Sequence, residues 1–197
     1  MKINQRKEPC SRCGIEVPSY DGVNLVSGNT SQFLCSNCYN QNISKTFGFD
    51  FEQVSFHPIT IEDYDGVPHT FHFQNRLLGD RVYLQALEIK EGEPEGYRFS
   101  KDGYVEDDLF GLFKKLVERI RRELERKHIE PDHLTRYSIT DGNVVRGHIN
   151  WDDETEGQVP LLVIDGKELS WYELGRMLMA YEGFHFKLEI FDETEER

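Results

Sequence analysis

Apolar residues recur with two different periods along the chain, and each period predicts one kind of secondary structure. Between residues 39 and 47 they recur every four positions, which predicts one face of a short helix that Gly48 ends. From residue 54 onward they alternate with polar residues, which predicts β-strands. The strands predicted in this stretch are 54–61, 67–77, 81–89 and 97–99, with Leu78-Gly79-Asp80 as a hairpin turn between the second and third.

An amphipathic helix follows the last of these strands. Asp107 or Asp108 can cap its first turn, and we expect the helix to end near His128 or Ile129, ahead of Pro131. Its apolar residues recur at helical spacing and define the stripe that we expect to be buried. This stripe consists of Leu109, Phe113, Leu116, Val117, Ile120 and Leu124.

The last third of the chain predicts two hairpins, a helix and a strand. One hairpin joins 136–140 to 144–150 through Asp141-Gly142-Asn143, and the other joins 159–164 to 167–169 through Asp165-Gly166. Ser170 and Glu173 have the spacing of a capping box, which predicts a helix that Gly183 ends. Its expected buried residues are Trp171, Leu174, Leu178 and Tyr181. The alternating residues of the final strand are Phe184, Phe186, Leu188 and Ile190.

Runs of strands with two separated helices, and no regular alternation of strand and helix, predict an α+β fold with a largely antiparallel sheet. We therefore expect a small four-cysteine module over residues 1–48, an α+β domain with two main helices over 49–191, and a charged tail over 192–197.

The charge balance limits the kinds of partner. The 197 residues contain 36 Asp and Glu against 23 Lys and Arg, so the formal net charge is −13. This argues against a general nucleic-acid coat, because phosphate binding needs a concentrated positive field. One locally basic stretch, residues 114–128, remains as a candidate. No apolar run is long enough for a membrane helix and no secretory signal pattern opens the chain, so we expect a cytoplasmic protein.

All four cysteines lie in two Cys-x-x-Cys pairs, Cys10 with Cys13 and Cys35 with Cys38. In a reducing compartment this spacing indicates a metal site, and four thiolates complete the tetrahedral shell that Zn²⁺ prefers. With every ligand supplied by protein, a structural zinc is expected rather than a catalytic one. Two thioredoxin-like redox pairs are the alternative, but neither pair follows a strand-helix pattern.

These four cysteines, with Gly14 after the first pair, resemble those of the treble-clef and zinc-ribbon families. The resemblance implies one structural zinc held by a knuckle on a hairpin and by a second pair at a hairpin or helix start. The rest of the chain is similar to a group of uncharacterised bacterial proteins that couple a cysteine knuckle to an α+β domain. That similarity implies architecture and a cytosolic bacterial setting, but no activity. It rests on residues 71–73, 78–80, 106–110 and 171–186.

Several residues outside the cysteine module invite a chemical role. Thr70, His72, Gln74 and Arg76 share one face of a predicted strand, which is either a ligand face or, more usually, a solvated face. The acidic loop 152–156 lacks the ligand spacing of a calcium loop, so a solvated run of charges is the simpler interpretation. The chain has no recognised catalytic motif. A group of aromatic and Met residues near the predicted last helix is either an exposed anchor for a partner or part of the core. This group consists of Trp171, Tyr172, Met177, Met179 and Tyr181.

Three functional hypotheses follow. The leading one is a cytosolic, zinc-stabilised binding or adaptor protein that recognises another protein. The second is a nucleic-acid-binding protein that uses the zinc module, with Arg6, Lys7 and Arg12, and the basic helix, with Lys114, Lys115, Arg121 and Arg122 as contacts. The third is an enzyme with an unrecognised pocket lined by His72, Gln74 and Arg76.

Overall fold

A computed structural model gives the fold, and it describes residues 7–28 and 30–195. Every strand pair in the described residues is antiparallel, which confirms the α+β class. In chain order the elements are β1 (Lys7–Pro9), β2 (Glu16–Pro18), β3 (Gly22–Ser27), β4 (Thr30–Cys35), α1 (Ser36–Phe47), β5 (Ile59–Glu62), β6 (Pro68–Leu78), β7 (Arg81–Lys90), β8 (Glu93–Tyr104), α2 (Leu109–Leu124), β9 (Ile129–Asp132), β10 (Arg136–Ile139), β11 (His148–Asn150), β12 (Leu161–Ile164), β13 (Lys167–Ser170) and α3 (Trp171–Leu178).

The N-terminal part consists of two hairpins and a helix. β1 pairs with β2, β3 pairs with β4, and α1 follows β4 directly. Gly48 adopts φ 77° and its N–H bonds to Ser44 O, so it ends α1 as the sequence predicts. Three of the cysteines pack with Leu34 and Tyr39 in a small core of this part.

The middle part is a four-stranded sheet in the order β5-β6-β7-β8, covered on one face by α2. The apolar stripe of α2 packs against Phe71, Leu84 and Phe99 of the sheet. The buried residues of α2 are Leu112, Leu116, Ile120 and Leu124, while Phe113 is partly buried. Of the two predicted N-cap residues, Asp108 is the one that caps the helix, because its side chain accepts a hydrogen bond from Phe110 N.

Three predicted boundaries in this middle part are wrong. The first strand is only Ile59–Glu62, because residues 51–58 run without regular structure towards the sheet. β8 is much longer than the predicted 97–99, since the turn after β7 takes only residues 91–92. α2 ends at Leu124 rather than near residue 128, because Leu124 O accepts a hydrogen bond from Tyr64 N (2.8 Å) and the chain turns into β9.

The C-terminal part combines the sheet β11-β12-β13, the β9-β10 hairpin and α3 around a third apolar core. The predicted hairpin between 136–140 and 144–150 is wrong: β10 pairs with β9, and β11 pairs with β12. A turn between β9 and β10 sets the observed pairing. In this turn, Asp132 Oδ1 accepts hydrogen bonds from Leu134 N (2.8 Å) and Thr135 N (2.9 Å). The Asp165-Gly166 hairpin between β12 and β13 is confirmed.

The capping box of Ser170 and Glu173 opens α3 as predicted. The predicted buried face is wrong for Trp171 and Leu178, which are about half exposed, because the helix instead buries Met177 against the third core with Leu174 beside it. The predicted final strand is also wrong. Residues 184–190 lie extended, pair with no strand among the described residues and expose their apolar side chains. Of the predicted tail, residues 196–197 lie outside the described residues.

Candidate metal centre

The first cysteine pair lies in the turn between β1 and β2. Cys10 N donates to Ile15 O and Gly14 N donates to Cys10 O, both over 2.9 Å, which folds the chain into a tight knuckle. Gly14 adopts φ 73°, a left-handed conformation that a residue without Cβ reaches at no steric cost. The knuckle is held against the second hairpin, because Ser11 N donates to Phe33 O of β4 over 2.8 Å.

The second cysteine pair lies where β4 ends and α1 begins. Cys35 is the N-cap residue of α1, and Cys38 lies in the first helical turn. A helix N-terminus presents backbone N–H groups with no helical partner and the positive end of the helix dipole. The backbone of Cys38 favours the Cys35 thiolate, but burial outweighs it and raises the pKa of Cys35, so these two thiolates would depend on a bound cation.

The four sulfur atoms lie close enough together to hold one metal ion. All are within 4.8 Å of one another, and Cys13 Sγ lies 3.9 Å from Cys35 Sγ. A tetrahedral ion with metal–sulfur bonds of about 2.3 Å places its sulfurs roughly 3.8 Å apart, so the cluster has the size that such an ion requires. Cys10, Cys35 and Cys38 are buried and Cys13 is exposed. A bound metal ion would thus be largely screened from water.

The proton affinities of these thiols differ in a way that suits cation binding. Burial alone would raise the pKa of Cys10, but hydrogen bonds from the backbone of Cys35, Cys13 and Arg12 lower it to about 6. Burial and the neighbouring sulfurs raise the pKa of Cys38 to about 12. The Cys10 thiolate therefore forms easily, while Cys35 and Cys38, whose pKa values are raised, give up their protons more readily to a bound cation.

Asn40 attaches this module to the central sheet. Its side chain is completely buried and bonds to the backbone of β6: Nδ2 donates to Asn75 O (2.9 Å) and Oδ1 accepts from Leu77 N (2.9 Å). Nδ2 also donates to Gln53 Oε1 (2.8 Å). An amide that satisfies several buried groups at once fixes the position of α1 on the sheet.

The sequence-predicted ligand face meets the same module. Gln74 Nε2 donates to Tyr20 O over 2.7 Å, and Arg76 Nη2 donates to Tyr20 O (2.9 Å) and Gly22 O (3.2 Å). His72 stands edge-on to the Tyr20 ring, with centroids 6.4 Å apart. This face is therefore not solvated as expected, because the chain between β2 and β3 covers it. Its polar groups serve docking, which leaves the enzyme hypothesis without support from them.

A buried cluster of three ionisable side chains was not anticipated from the sequence. His69 Nδ1 lies 2.7 Å from Glu88 Oε1, and His69 Nε2 lies 3.1 Å from Asp63 Oδ2. Glu88 occupies a β-bulge, where its Oε2 accepts the Tyr97 N–H over 2.8 Å. Both ring nitrogens are engaged, so His69 acts as a structural bridge. The sequence contains one clue to this cluster: Glu88 is charged, although it shares a strand face with the apolar Leu84 and Ala86.

Most of the remaining predicted residues lie outside the cysteine module, whereas Arg12 lies within its knuckle. Lys114, Lys115, Arg121 and Arg122 are exposed on α2, and the acidic loop 152–156 is largely exposed. Lys114 pairs with Glu118 at 3.8 Å and Arg122 with Glu123 at 3.8 Å, so acidic neighbours offset part of this basic charge. Arg12 donates to Cys38 O (3.3 Å), whereas Arg6 lies outside the described residues. Of the aromatic and Met group, Trp171, Tyr172 and Met179 are exposed and Met177 is buried.

Two small cavities flank Tyr97, with volumes of about 10 and 20 Å³. A water molecule needs roughly 10–15 Å³ by the same measure, so each holds about one water. Neither can enclose an organic substrate. The described helices include none that is both long and apolar enough to cross a membrane.

Three domain families match successive segments of the chain. Residues 9–50 match Domain of unknown function (DUF7685), residues 52–125 match Domain of unknown function (DUF7686), and residues 128–195 match Domain of unknown function (DUF7713). No curated protein matches the chain, and no solved structure does. The three matched segments largely follow the N-terminal, middle and C-terminal apolar cores. The chain thus consists of three segments similar to families whose functions are unknown.

Proposed function

We propose that this chain is a cytosolic, zinc-stabilised binding or adaptor protein that recognises another protein. The zinc part rests on the donor set: four thiolates at tetrahedral spacing are ligands that select zinc among the common divalent ions. The knuckle on one hairpin, the second hairpin and the helix that begins at the second cysteine pair support the proposed resemblance to a treble clef. Such thiolates persist in a reducing compartment, which is the reason for the cytosolic setting.

Metal analysis of the purified full-length chain tests the zinc part of the proposal. We expect one zinc per chain, and its removal by a chelator should unfold the N-terminal part, because structural zinc binding is coupled to folding. A chain that contains no zinc and keeps this part protected from proteolysis would contradict the proposal.

The single observation that carries protein recognition is an aromatic surface at the start of α3. Trp171 and Tyr172 are 50% and 74% exposed, although both are large residues that chains usually bury. Exposed Trp and Tyr are the residues most often found at the centre of protein interfaces. They lie in the part of the chain after residue 127, which contains 16 Asp and Glu against six Lys and Arg. The partner that fits is an amphipathic segment with a basic flank.

Affinity capture with matched variants tests this recognition. Wild-type chain, the double variant Trp171→Ser/Tyr172→Ser and the control Tyr64→Ser, which removes an aromatic residue 68% exposed on the middle part, serve as baits. We expect a partner that wild type and Tyr64→Ser retain and the double variant loses. Binding to the purified partner should weaken as salt increases. A partner retained equally by the double variant, or none with wild type, would remove this proposal.

Nucleic-acid binding is the second candidate, and the exposed basic residues of α2 favour it. If α2 contacts phosphates, affinity for DNA or RNA should fall steeply with salt. Arg121→Glu and Arg122→Glu should then each weaken the affinity, whereas the same single charge reversal at Arg146, exposed on the C-terminal part, should leave most of it.

A further inference from the structure

Residues 184–191 form an extended segment with the pattern of a β-strand but without a neighbouring strand among the described residues. Its apolar side chains alternate with His185, Lys187 and Glu189. Phe184, Phe186, Leu188 and Ile190 are 72%, 89%, 71% and 72% exposed. A continuous apolar stripe of this kind is rarely left in water unless a partner covers it.

The segment is fixed at both ends, so it is presented on the surface rather than trailing from it. The rings of Tyr181 and Phe184 contact each other edge-on, with centroids 5.8 Å apart. Beyond the segment, Arg119 Nη1 of α2 donates to Glu193 O over 2.7 Å. An extended edge held in this way can accept another strand through its backbone groups.

The charges of the segment identify the strand that fits it. In an antiparallel pair, directly opposite residues lie on the same face of the sheet. If two copies of residues 185–191 pair with Leu188 opposite Leu188, then Lys187 of each copy lies opposite Glu189 of the other. Phe186 then lies opposite Ile190, so the two apolar stripes form one face. In this register the apolar side chains at 186, 188 and 190 face each other and the central charged pairs on the other face are opposite in sign, with His185 opposite Phe191 at each end, so the pairing is isologous.

Neighbouring registers lack this complementarity. Centring the pair on residue 187 places Lys187 opposite Lys187, and centring it on residue 189 places Glu189 opposite Glu189. Like charges directly opposite each other destabilise a strand pair. Within one chain, Lys187 Nζ lies 2.6 Å from Glu189 Oε1, so both charges already share the face away from the apolar stripe.

We propose that residues 185–191 form an antiparallel strand pair with the same residues of a second copy, centred on Leu188, and so make the protein a homodimer. The segment starts shortly after α3, whose last residue Leu178 and the following Met179 are also exposed, 47% and 67%. The inference rests on residues 184–191 and not on Trp171 or Tyr172, so it stands without the proposed function.

Analytical ultracentrifugation of the full-length chain tests the proposal. Wild type should form a dimer, while Lys187→Glu and Glu189→Lys should each raise the dissociation constant about tenfold, because each places two like-charged pairs across the interface. Lys115→Glu, which makes the same charge change on the exposed side of α2, is the matched control and should dimerise like wild type.

Mixing the two charge variants separates this register from any other explanation. Lys187→Glu paired with Glu189→Lys restores both opposite-charge pairs across the interface, while the pair within each chain stays broken. The equimolar mixture should therefore dimerise like wild type. A monomeric wild type overturns the proposal, and so does a mixture that stays as weak as the single variants.

Discussion

The two ends of the molecule attach to the central sheet in different ways. The cysteine module is joined to it through buried polar side chains, with Asn40 and Arg76 bonded to backbone groups on the opposite side of the contact. The C-terminal part contacts it through exposed or half-buried cations, such as Lys90 Nζ to Gly166 O at 3.0 Å. The module has the contacts of a permanent part of the fold, whereas the C-terminal part keeps a large apolar surface in water.

This difference has an energetic meaning. A buried amide with all its hydrogen bonds formed fixes one arrangement, because every alternative leaves a polar group unpaired in the interior. An exposed apolar surface leaves stabilisation to be gained by binding. We therefore expect the module and the central sheet to unfold together, and the C-terminal part to unfold separately. Each of the following changes tests one side of that comparison.

Cys35→Ser should have the largest effect. It removes a buried thiol of the candidate metal site at the N-cap of α1, and apparent binding energies of structural zinc reach about 10–16 kcal/mol in zinc-finger peptides. If the proposed zinc is bound there, we expect loss of the metal and unfolding of the module together with the central sheet, seen by metal analysis and limited proteolysis. Ser11→Ala, in the exposed part of the same knuckle, is the control and should keep both. A Cys35→Ser chain with full metal content would disprove the ligand assignment.

Asn40→Ala should come next. It leaves Asn75 O and the Leu77 N–H buried without their partner, and each such loss costs roughly 1–3 kcal/mol, so about 4 kcal/mol is expected in all. Urea denaturation measures this change, and Asn42→Ala on the exposed side of α1 is the matched control. If the module and the central sheet form one unit, they should unfold in a single transition, and Asn40→Ala should shift that transition for both parts equally. A shift confined to the module would contradict the comparison.

His69→Asn should have a smaller effect, and one that depends on pH. Burial alone lowers the pKa of His69, but its hydrogen bonds to Glu88 and Asp63, with their charges, raise it above the usual value. A raised pKa in the folded state stabilises the protein fully below the unfolded pKa of about 6.5, and this contribution is lost as pH rises through the folded value. Removing the shared cation should cost about 3 kcal/mol near pH 6.

The pH dependence is the part of this prediction that a packing defect would not reproduce. Urea midpoints measured from about pH 5 to pH 9 should show the gap between wild type and His69→Asn closing as pH rises, with the exposed His57→Asn as control. A gap that stays constant over this range would mean that His69 is not charged in the cluster.

Local patterns in the sequence predicted much of the fold. The capping box of α3, the Asp165-Gly166 turn and the α+β class are confirmed, and so is burial of Leu116, Ile120 and Leu124 in the α2 stripe, because each depends on residues close together in the chain. The stripe missed the buried Leu112, and Leu109, Phe113 and Val117 are only partly buried. The 136–150 hairpin and the last strand failed for a nonlocal reason. Alternation shows that a segment can be a strand, but not which strand it pairs with.

The candidate site also has one part that the sequence predicted and one part that it did not. The cysteine cluster was predictable, since the spacing within each motif brings two thiols together and a pair of such motifs is typical of one shared metal site. The docking contacts were not, because Gln74 and Arg76 meet Tyr20 more than fifty positions away in sequence. A polar strand face looks the same in sequence whether water or another module covers it.

Ser170→Ala should have the smallest effect and tests whether the C-terminal part unfolds separately. The substitution removes the hydroxyl that accepts from Glu173 N at 3.2 Å, and losing such a cap costs about 1 kcal/mol. Because α3 packs on the C-terminal core, this cost should shift only the transition of that part and leave the module and sheet unchanged. Ser31→Ala, an exposed position on β4, is the control. Equal shifts of every transition would show that the two ends of the molecule unfold as one unit, since a local change can move distant groups only through shared cooperativity.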